Sequence, residues 1–401
     1  MTDKPLVKDF ATEWDHADPQ WVADPYPIWD DLRERCPVAH TDRYGGGWFP
    51  VTHAGVSAIA KDTENFTSRT IIIGNGRPTE LDLPAPIGVA PPITSDPPFH
   101  AIARKLLLPA FAPGPINALE PVIRSLCVDL IDSMHGDVLN VGMEYAKYIP
   151  PNVIRAMLGF PEEDIEKFIG FINIVLEGID HPAEQRIEEF VPVEAYFVAQ
   201  MEEHLENPRD DLTSYLLNAE IEGQKLQPEH VFGTMVLVLV AGIDTTWSAI
   251  GSSIWHLAQY PDDLARLVNE PDLMPVAIEE FLRFYAPVTM ARLVKHDMDY
   301  LGCPMKEDDW ILLGFPAANR DPSAFDDADK FIIDRAQNRH MAFGLGIHRC
   351  AGSNLARLEL RVAIEEFIKR YPRFELADPS TVTWASGQIR GPRNLPIRIL
   401  K

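Results

Sequence analysis

The sequence predicts a mainly α-helical fold with minor β-sheet. Three observations carry that expectation. Apolar residues recur at helical spacing in one segment after another. One segment, 228 to 260, is apolar nearly all round, as a helix running through a core must be. Strand signals are confined to three short stretches.

Taken in order, PYPIWDDLRERCP (25 to 37) reads as a short helix and GWFPVT (47 to 52) as a strand. HAIARKLLLPAF (100 to 111) is a second helix. INALEPVIRSLCVDLIDSM (116 to 134) is a third, with Ile123, Leu126, Leu130 and Ile131 at helical spacing. PEHVFGTMVLVLVAGIDTTWSAIGSSIWHLAQY (228 to 260) is the longest. PVAIEEFLRFYAP (275 to 287) starts on a proline, a good first-turn residue, and stops before Pro287. DWILLGF (309 to 315) is a strand. After Cys350, one helix face is marked by Leu355, Leu358 and Val362, and LPIRIL (395 to 400) closes the chain as a strand.

Hydrophobic residues are 46% and charged residues 24% of 401, ordinary for a globular protein. The formal net charge of −24 argues against nucleic acid or an anionic membrane as partner. Cys36, Cys127, Cys303 and Cys350 are far apart in sequence, with no C-x-x-C, so a disulfide scaffold is not expected and a reducing cytoplasm fits. The N-terminus is polar and lacks a signal-like apolar stretch. The longest apolar run, MVLVLVAGI (235 to 243), is too short to span a bilayer. The 35 prolines are scattered rather than gathered in a linker, so one domain over 1–401 is expected, free-standing and soluble.

The chemistry concentrates in AFGLGIHRCAGSNLARLEL, 342 to 360. Phe343, Gly344, Gly346, His348, Cys350 and Gly352 form F-G-x-G-x-H-x-C-x-G ahead of a helix. Glycines permit tight turns and close approach to a flat ligand. A cysteine at a helix N-terminus gains from free amides and the positive dipole end. A thiolate held rigidly there is what an axial iron ligand needs. A lone buried thiol would be the plainer reading, but six fixed positions in ten residues argue against it. No second ligand at zinc spacing and no evident base for a nucleophile are present.

AGIDTTWS, 241 to 248, places Asp244, Thr245 and Thr246 inside the apolar helix. Such groups are costly unless satisfied. A threonine hydroxyl can bond back to a main-chain carbonyl and widen the helix, leaving room for water and a small ligand such as O2. A polar kink without chemistry is the alternative. Glu280 and Arg283, at i and i+3, share a helix face, with Arg335 a third partner. Taken alone that pair is an ordinary surface ion pair. His100 and Arg104 lie at i and i+4; with Arg292 and His348 they suit an anion such as a carboxylate.

FGLGIHRCAG, AGIDTT and EEFLR occur in this order at suitable separations, and on them the sequence resembles a cytochrome P450 of the soluble bacterial kind over nearly its whole length. The resemblance implies the family's triangular, mainly helical prism with small sheets to one side. It implies haem b (iron protoporphyrin IX), with Cys350 as thiolate ligand of the iron and Phe343 packed beside the sulfur. His100, Arg104, Arg292 and His348 would contact the haem propionates, in a cofactor site that includes Gly352. Asp244 and Thr245 would be the acid–alcohol pair delivering protons to bound O2. Glu280, Arg283 and Arg335 would be a buried ion network supporting the haem-binding core.

The resemblance also implies a monooxygenase that takes electrons from a ferredoxin and a ferredoxin reductase using NAD(P)H. Arg349, Arg357, Arg361, Arg104 and Lys105 would form a basic patch for an acidic ferredoxin. Residues 70 to 94 would lie over the distal side and 168 to 180 would border the entrance. Ile87, Leu237, Val240, Ala241, Val288, Met290, Gln388 and Ile389 would contact substrate, with Gln388 free to fix a polar substituent. So apolar a lining favours a compact hydrophobic small molecule, a terpenoid or a substituted aromatic. A monomer is expected. Two other readings are a peroxide-driven peroxygenase, whose family members usually lack the acid–threonine pair, and a non-catalytic haem gas sensor, which would need no such pair.

Overall fold

All of the expected elements are present in the computed structural model, which describes residues 5–74, 76–77, 89–177, 183–221, 223–385 and 387–401. The helix at 25 to 37 spans Tyr26–Arg35, and that at 100 to 111 spans Phe99–Leu107. The segment 116 to 134 is two helices rather than one, Pro113–Ala118 and Glu120–Ser133. Pro121 explains the break. Its ring and missing N–H end the first helix, and it sits comfortably in the first turn of the second.

The central element is the long helix Pro228–Leu257. It starts on a proline after the extended Gln227 and is buried along most of its length. Contrary to expectation, this helix is long and apolar enough to cross a membrane by length and composition. Its burial identifies it as a core helix. Around it pack the helices Ile149–Leu158 and Ser353–Arg370, the second following Cys350 directly. Their shared core includes Ile154, Leu239, Ile243, Ile250, Leu358 and Val362. Glycine allows two close approaches to the long helix. A Cβ at Gly251 would stand 3.0 Å from Pro392, and one at Gly242 would stand 2.6 Å from Ile154.

The strands lie to one side. Five form a mixed sheet in the order Val38–Thr41, Gly47–Pro50, Trp310–Leu313, Met290–Val294, Phe66–Thr67. Trp310 pairs in parallel with Gly47, and Leu312 pairs antiparallel with Ala291. Strand Met290–Val294 has apolar neighbours on both faces. Ala291 and Leu293 pack into one cluster with Trp14 and Phe49, and Met290 and Val294 into another with Trp48 and Leu313. Arg292 therefore shares the face of Met290 and Val294. A second sheet joins Val138–Asn140, Pro396–Ile399 and Phe374–Leu376.

Candidate active site

The cysteine loop is built by its glycines. Gly344 and Gly346 have φ of +66° and +67°, the left-handed region that L side chains avoid. A Cβ on Gly346 would also stand 2.9 Å from the Ala60 carbonyl oxygen. The Cys350 amide donates to the Phe343 carbonyl at 2.8 Å, closing the loop, and Gly352 starts the helix Ser353–Arg370. The thiol is exposed, yet protein surrounds it on all sides. Burial pushes the thiol above its ordinary range, while the Gly352 N–H, Arg104, Arg349 and Arg357 pull the other way. Phe343 is half-buried with its ring against the Arg357 guanidinium, 4.5 Å from centroid to carbon.

Four basic residues come together beside this loop. The His100 and His348 rings meet edge to face at 4.4 Å. Burial comes first, then Arg292, His100 and Arg104, in pulling His348 down to about 2. Burial, then Arg104, lowers His100 as well. Arg292 is buried and pulled down to about 10 by that burial, against the attraction of Asp96. Asp96 itself serves Thr67 and Ser68. Arg292 donates to the neighbouring Ala291 carbonyl at 2.7 Å. Arg104 donates to the Arg349 carbonyl, and its charge acts on Cys350. Neither the His100 nor the His348 Nε2 finds a partner among the described residues.

Along the otherwise buried long helix, Leu237, Val240 and Thr245 are half-buried and Ala241 is exposed. Leu237, Ala241 and Thr245 are four apart and share one face. The Thr245 hydroxyl bonds back to the Ala241 carbonyl at 2.9 Å, as expected. The helix is unbroken through this turn. Asp244 is buried and ion-paired at 2.5 Å with Arg393, a residue the sequence reading missed. Nothing in the local sequence GPRNLP marks Arg393, because its importance arises from a contact 149 residues away.

Glu280, Arg283 and Arg335 form the expected network. Glu280 and Arg283 are fully buried and joined at 2.7 and 2.8 Å. Arg335 reaches both Glu280 oxygens at 3.1 Å. The Ile332 amide and the Asn338 side chain also donate to Glu280.

Other expectations change. Gln388 is not free to fix a substituent. Its amide oxygen accepts from the Ile73 N–H at 2.6 Å, and its nitrogen donates to the Ile71 and Thr289 carbonyls. It staples backbone segments together. Val288 and Ile389 face each other in an antiparallel bridge, and Met290 packs against the sheet cluster. Ile87 and 78–88 of the expected lid, with 178 to 180 of the entrance segment, lie outside the described residues. Two of the five residues of the basic patch are ion-paired. Arg357 binds Glu279 twice, at 2.6 and 2.8 Å, and Arg361 pairs with Glu120 and Glu365.

The residues present fit a haem. Buried arginine and neutral histidine nitrogens without an internal carboxylate call for an anion from outside the chain, and propionates supply it. A solvent-open thiol held by the glycine loop ahead of a helix N-terminus can supply the iron ligand. Fold and site together define a haem-thiolate protein. The chain belongs to the cytochrome P450 family: the family profile Cytochrome P450 matches residues 143–383. It is 31% identical to Cytochrome P450-terp of Pseudomonas sp, over 96% of each chain. The solved structure of the bacillaene polyketide synthase cytochrome P450 PksS of Bacillus subtilis 168 superposes with a TM-score of 0.85 at 29% identity, covering 97% of this chain and 100% of that one. CYP109E1 of Bacillus megaterium, solved in complex with testosterone, gives 0.84 at 30% identity over 94% and 98%. This chain is accordingly an oxidoreductase of the monooxygenase class and of the soluble bacterial kind.

Proposed function

We propose that this protein is a cytoplasmic, single-domain, monomeric monooxygenase. It takes electrons from NAD(P)H through a ferredoxin reductase and a ferredoxin, and oxidises a compact hydrophobic small molecule. The Asp244–Thr245 pair carries this reading. A buried acid next to a hydroxyl on the partly open Leu237–Ala241–Thr245 face of an apolar helix is an arrangement for delivering protons. A peroxide-driven enzyme would have less need of it.

Haem b supplies the activation of O2 when bound. Cys350 holds its iron, and Phe343 and Gly352 shape the loop around the sulfur. His100, Arg104, Arg292 and His348 bind its propionates. Thr245 and Asp244 would orient water and hold protons at the hydroxyl and the carboxyl beside the haem site. Leu237, Val240, Ala241, Val288, Met290 and Ile389 exclude water and hold the substrate by shape. A terpenoid or a substituted aromatic suits that lining, and the testosterone bound in CYP109E1 is a ligand of similar compactness. With Arg357 and Arg361 engaged, the charges facing a ferredoxin reduce to Arg349 and Lys105 beside Arg104.

The deciding experiment is the absorption spectrum of reduced protein under carbon monoxide. A strongly red-shifted Soret band is expected, and Cys350→Ser or Cys350→His should abolish it even where haem is retained. An unshifted band in the native protein would remove Cys350 as ligand. With ferredoxin, its reductase and NAD(P)H, turnover should exceed that with peroxide alone. Thr245→Ala should divert electrons to free peroxide, and tight coupling in that variant would refute proton delivery by this pair.

A further inference from the structure

Arg393 lies across one turn of the long helix. One terminal nitrogen donates to Asp244 at 2.5 Å and the other to the Ser248 hydroxyl at 3.1 Å. The Trp247 indole lies under the guanidinium, 4.1 Å from its central carbon to the ring. Residues 244, 247 and 248 share one helix face. The arginine is therefore fixed by an ion pair, a hydrogen bond and an aromatic face at once.

Its backbone is fixed as firmly. The Arg393 amide donates to the Thr383 carbonyl at 2.7 Å, and Ala385 donates to the Gly391 carbonyl at 2.9 Å. Trp384 and Pro392 form a bridge across the same two stretches. The pair of stretches is pressed close to its neighbours. A Cβ on Gly391 would stand 2.3 Å from Ser248, and one on Gly142 would stand 2.2 Å from the Arg393 carbonyl oxygen. No side chain fits at either glycine without a shift, so the chain into Arg393 is closely packed.

We propose that Arg393 is a positioning residue for proton delivery: it fixes where the Asp244 carboxyl sits and the pH range over which it carries a proton. This rests on the reading of Asp244 and Thr245 given above. A buried carboxylate needs a nearby cation to stay charged. Arg393 provides that cation and takes no part in proton exchange, because a guanidinium keeps its protons. The charged Asp244 takes a proton from water and passes it toward Thr245, returning to the carboxylate, so each cycle leaves both residues unchanged.

The test uses the haem-loaded protein and two readouts. The first is infrared titration of the Asp244 carboxyl band, assigned by its disappearance in Asp244→Asn. The second is the pH profile of peroxide released per electron consumed. Arg393→Met should raise the infrared midpoint by about 1 to 3 pH units, the usual effect of removing an adjacent opposite charge. The peroxide profile should move by the same amount. Arg393→Lys, which keeps the charge, should restore most of both. Gly391→Ala keeps the guanidinium but displaces the chain that carries it, and should move both midpoints in the direction of Arg393→Met. If Arg393→Met lowers stability and leaves both midpoints in place, Arg393 is only a clamp and the inference is overturned. If the infrared midpoint moves while the peroxide profile does not, the inference also fails. Should Thr245→Ala stay coupled, it is the underlying proton-delivery reading that falls.

Discussion

Two buried groups of charge in this molecule have opposite internal balance. Around Glu280, all five donor hydrogens of Arg283 are used: three nitrogens serve Glu280 and the Asn319, Ala328 and Lys330 carbonyls. Arg335 is shared between Glu280 and the carbonyls of Asp326, Asp327 and Lys330. Among the described residues, the one acceptor that Arg292 reaches is the adjacent carbonyl, two histidine Nε2 atoms lack partners, and the acid that attracts it, Asp96, serves other groups. Burying charge costs free energy either way. The first group meets that cost inside the chain and so supports the fold. The second leaves it unmet, and that marks where a ligand must contribute. Burial alone would rank the two groups as equals; the count of acceptors separates them.

The largest effect should come from breaking the balanced group. Glu280→Gln keeps the volume but leaves Arg283 and Arg335 as buried cations without a counter-charge. The expected loss is about 3 to 5 kcal/mol, the usual cost of removing one partner of a buried pair. Urea midpoints with haem bound would measure it. A loss under about 1 kcal/mol, the range of an exposed ion pair, would make the two groups alike and undo the contrast.

A smaller effect of opposite sign is expected at the unbalanced group. Arg292→Met removes a buried charge with no internal partner. The haem-free protein should be unchanged or stabilised by about 1 to 3 kcal/mol, the penalty for an unsatisfied buried group. Haem should leave the variant about 10- to 100-fold faster, since a charge-assisted bond worth about 1.5 to 3 kcal/mol is lost. Transfer to an excess of a haem-free acceptor protein measures this. A variant that is destabilised without haem and keeps haem as tightly would show that Arg292 is structural.

The legibility of these regions in the sequence follows the same division. Cys350, the acid–threonine pair and Glu280 with Arg283 lie in short motifs whose spacing alone brings them together, and the structure sets each on the expected loop or helix. The long helix was readable because its apolar residues run all round it. Arg393 was not, since no periodicity connects a residue near the C-terminus to a helix turn 149 residues earlier. The role of Gln388 was misjudged for a related reason: an amide looks available until the backbone of residues 71 and 73 is placed beside it. The engagement of Arg357 and Arg361 was not legible because Glu279, Glu120 and Glu365 come from three separate stretches. Pro121, by contrast, was in plain view, and helix periodicity outweighed it where steric exclusion should have won.

A third buried group sharpens the contrast to a single charge. Glu359 is fully buried on the helix after Cys350, and neither carboxyl oxygen has a partner among the described residues. Its charge would act on Cys127, whose thiol burial pushes up to about 12. Burial raises the Glu359 carboxyl well above its ordinary value near 4.5. The sign of the pH dependence follows. Above pH 4.5 the unfolded chain releases this proton and the folded chain keeps it, so the folded state binds more protons and loses stability as pH rises. The loss is about 1.4 kcal/mol per pH unit until the folded group ionises. Glu359→Gln cannot ionise in either state and escapes it. Near pH 4.5 the variant and the native protein should differ by about 1 kcal/mol or less, the worth of one hydrogen-bonding group. Toward pH 8 the variant should become steadily the more stable, as urea midpoints across that range would show. A gap that stays constant with pH would mean that Glu359 is already ionised when folded, and that a counter-charge serves it as one serves Glu280.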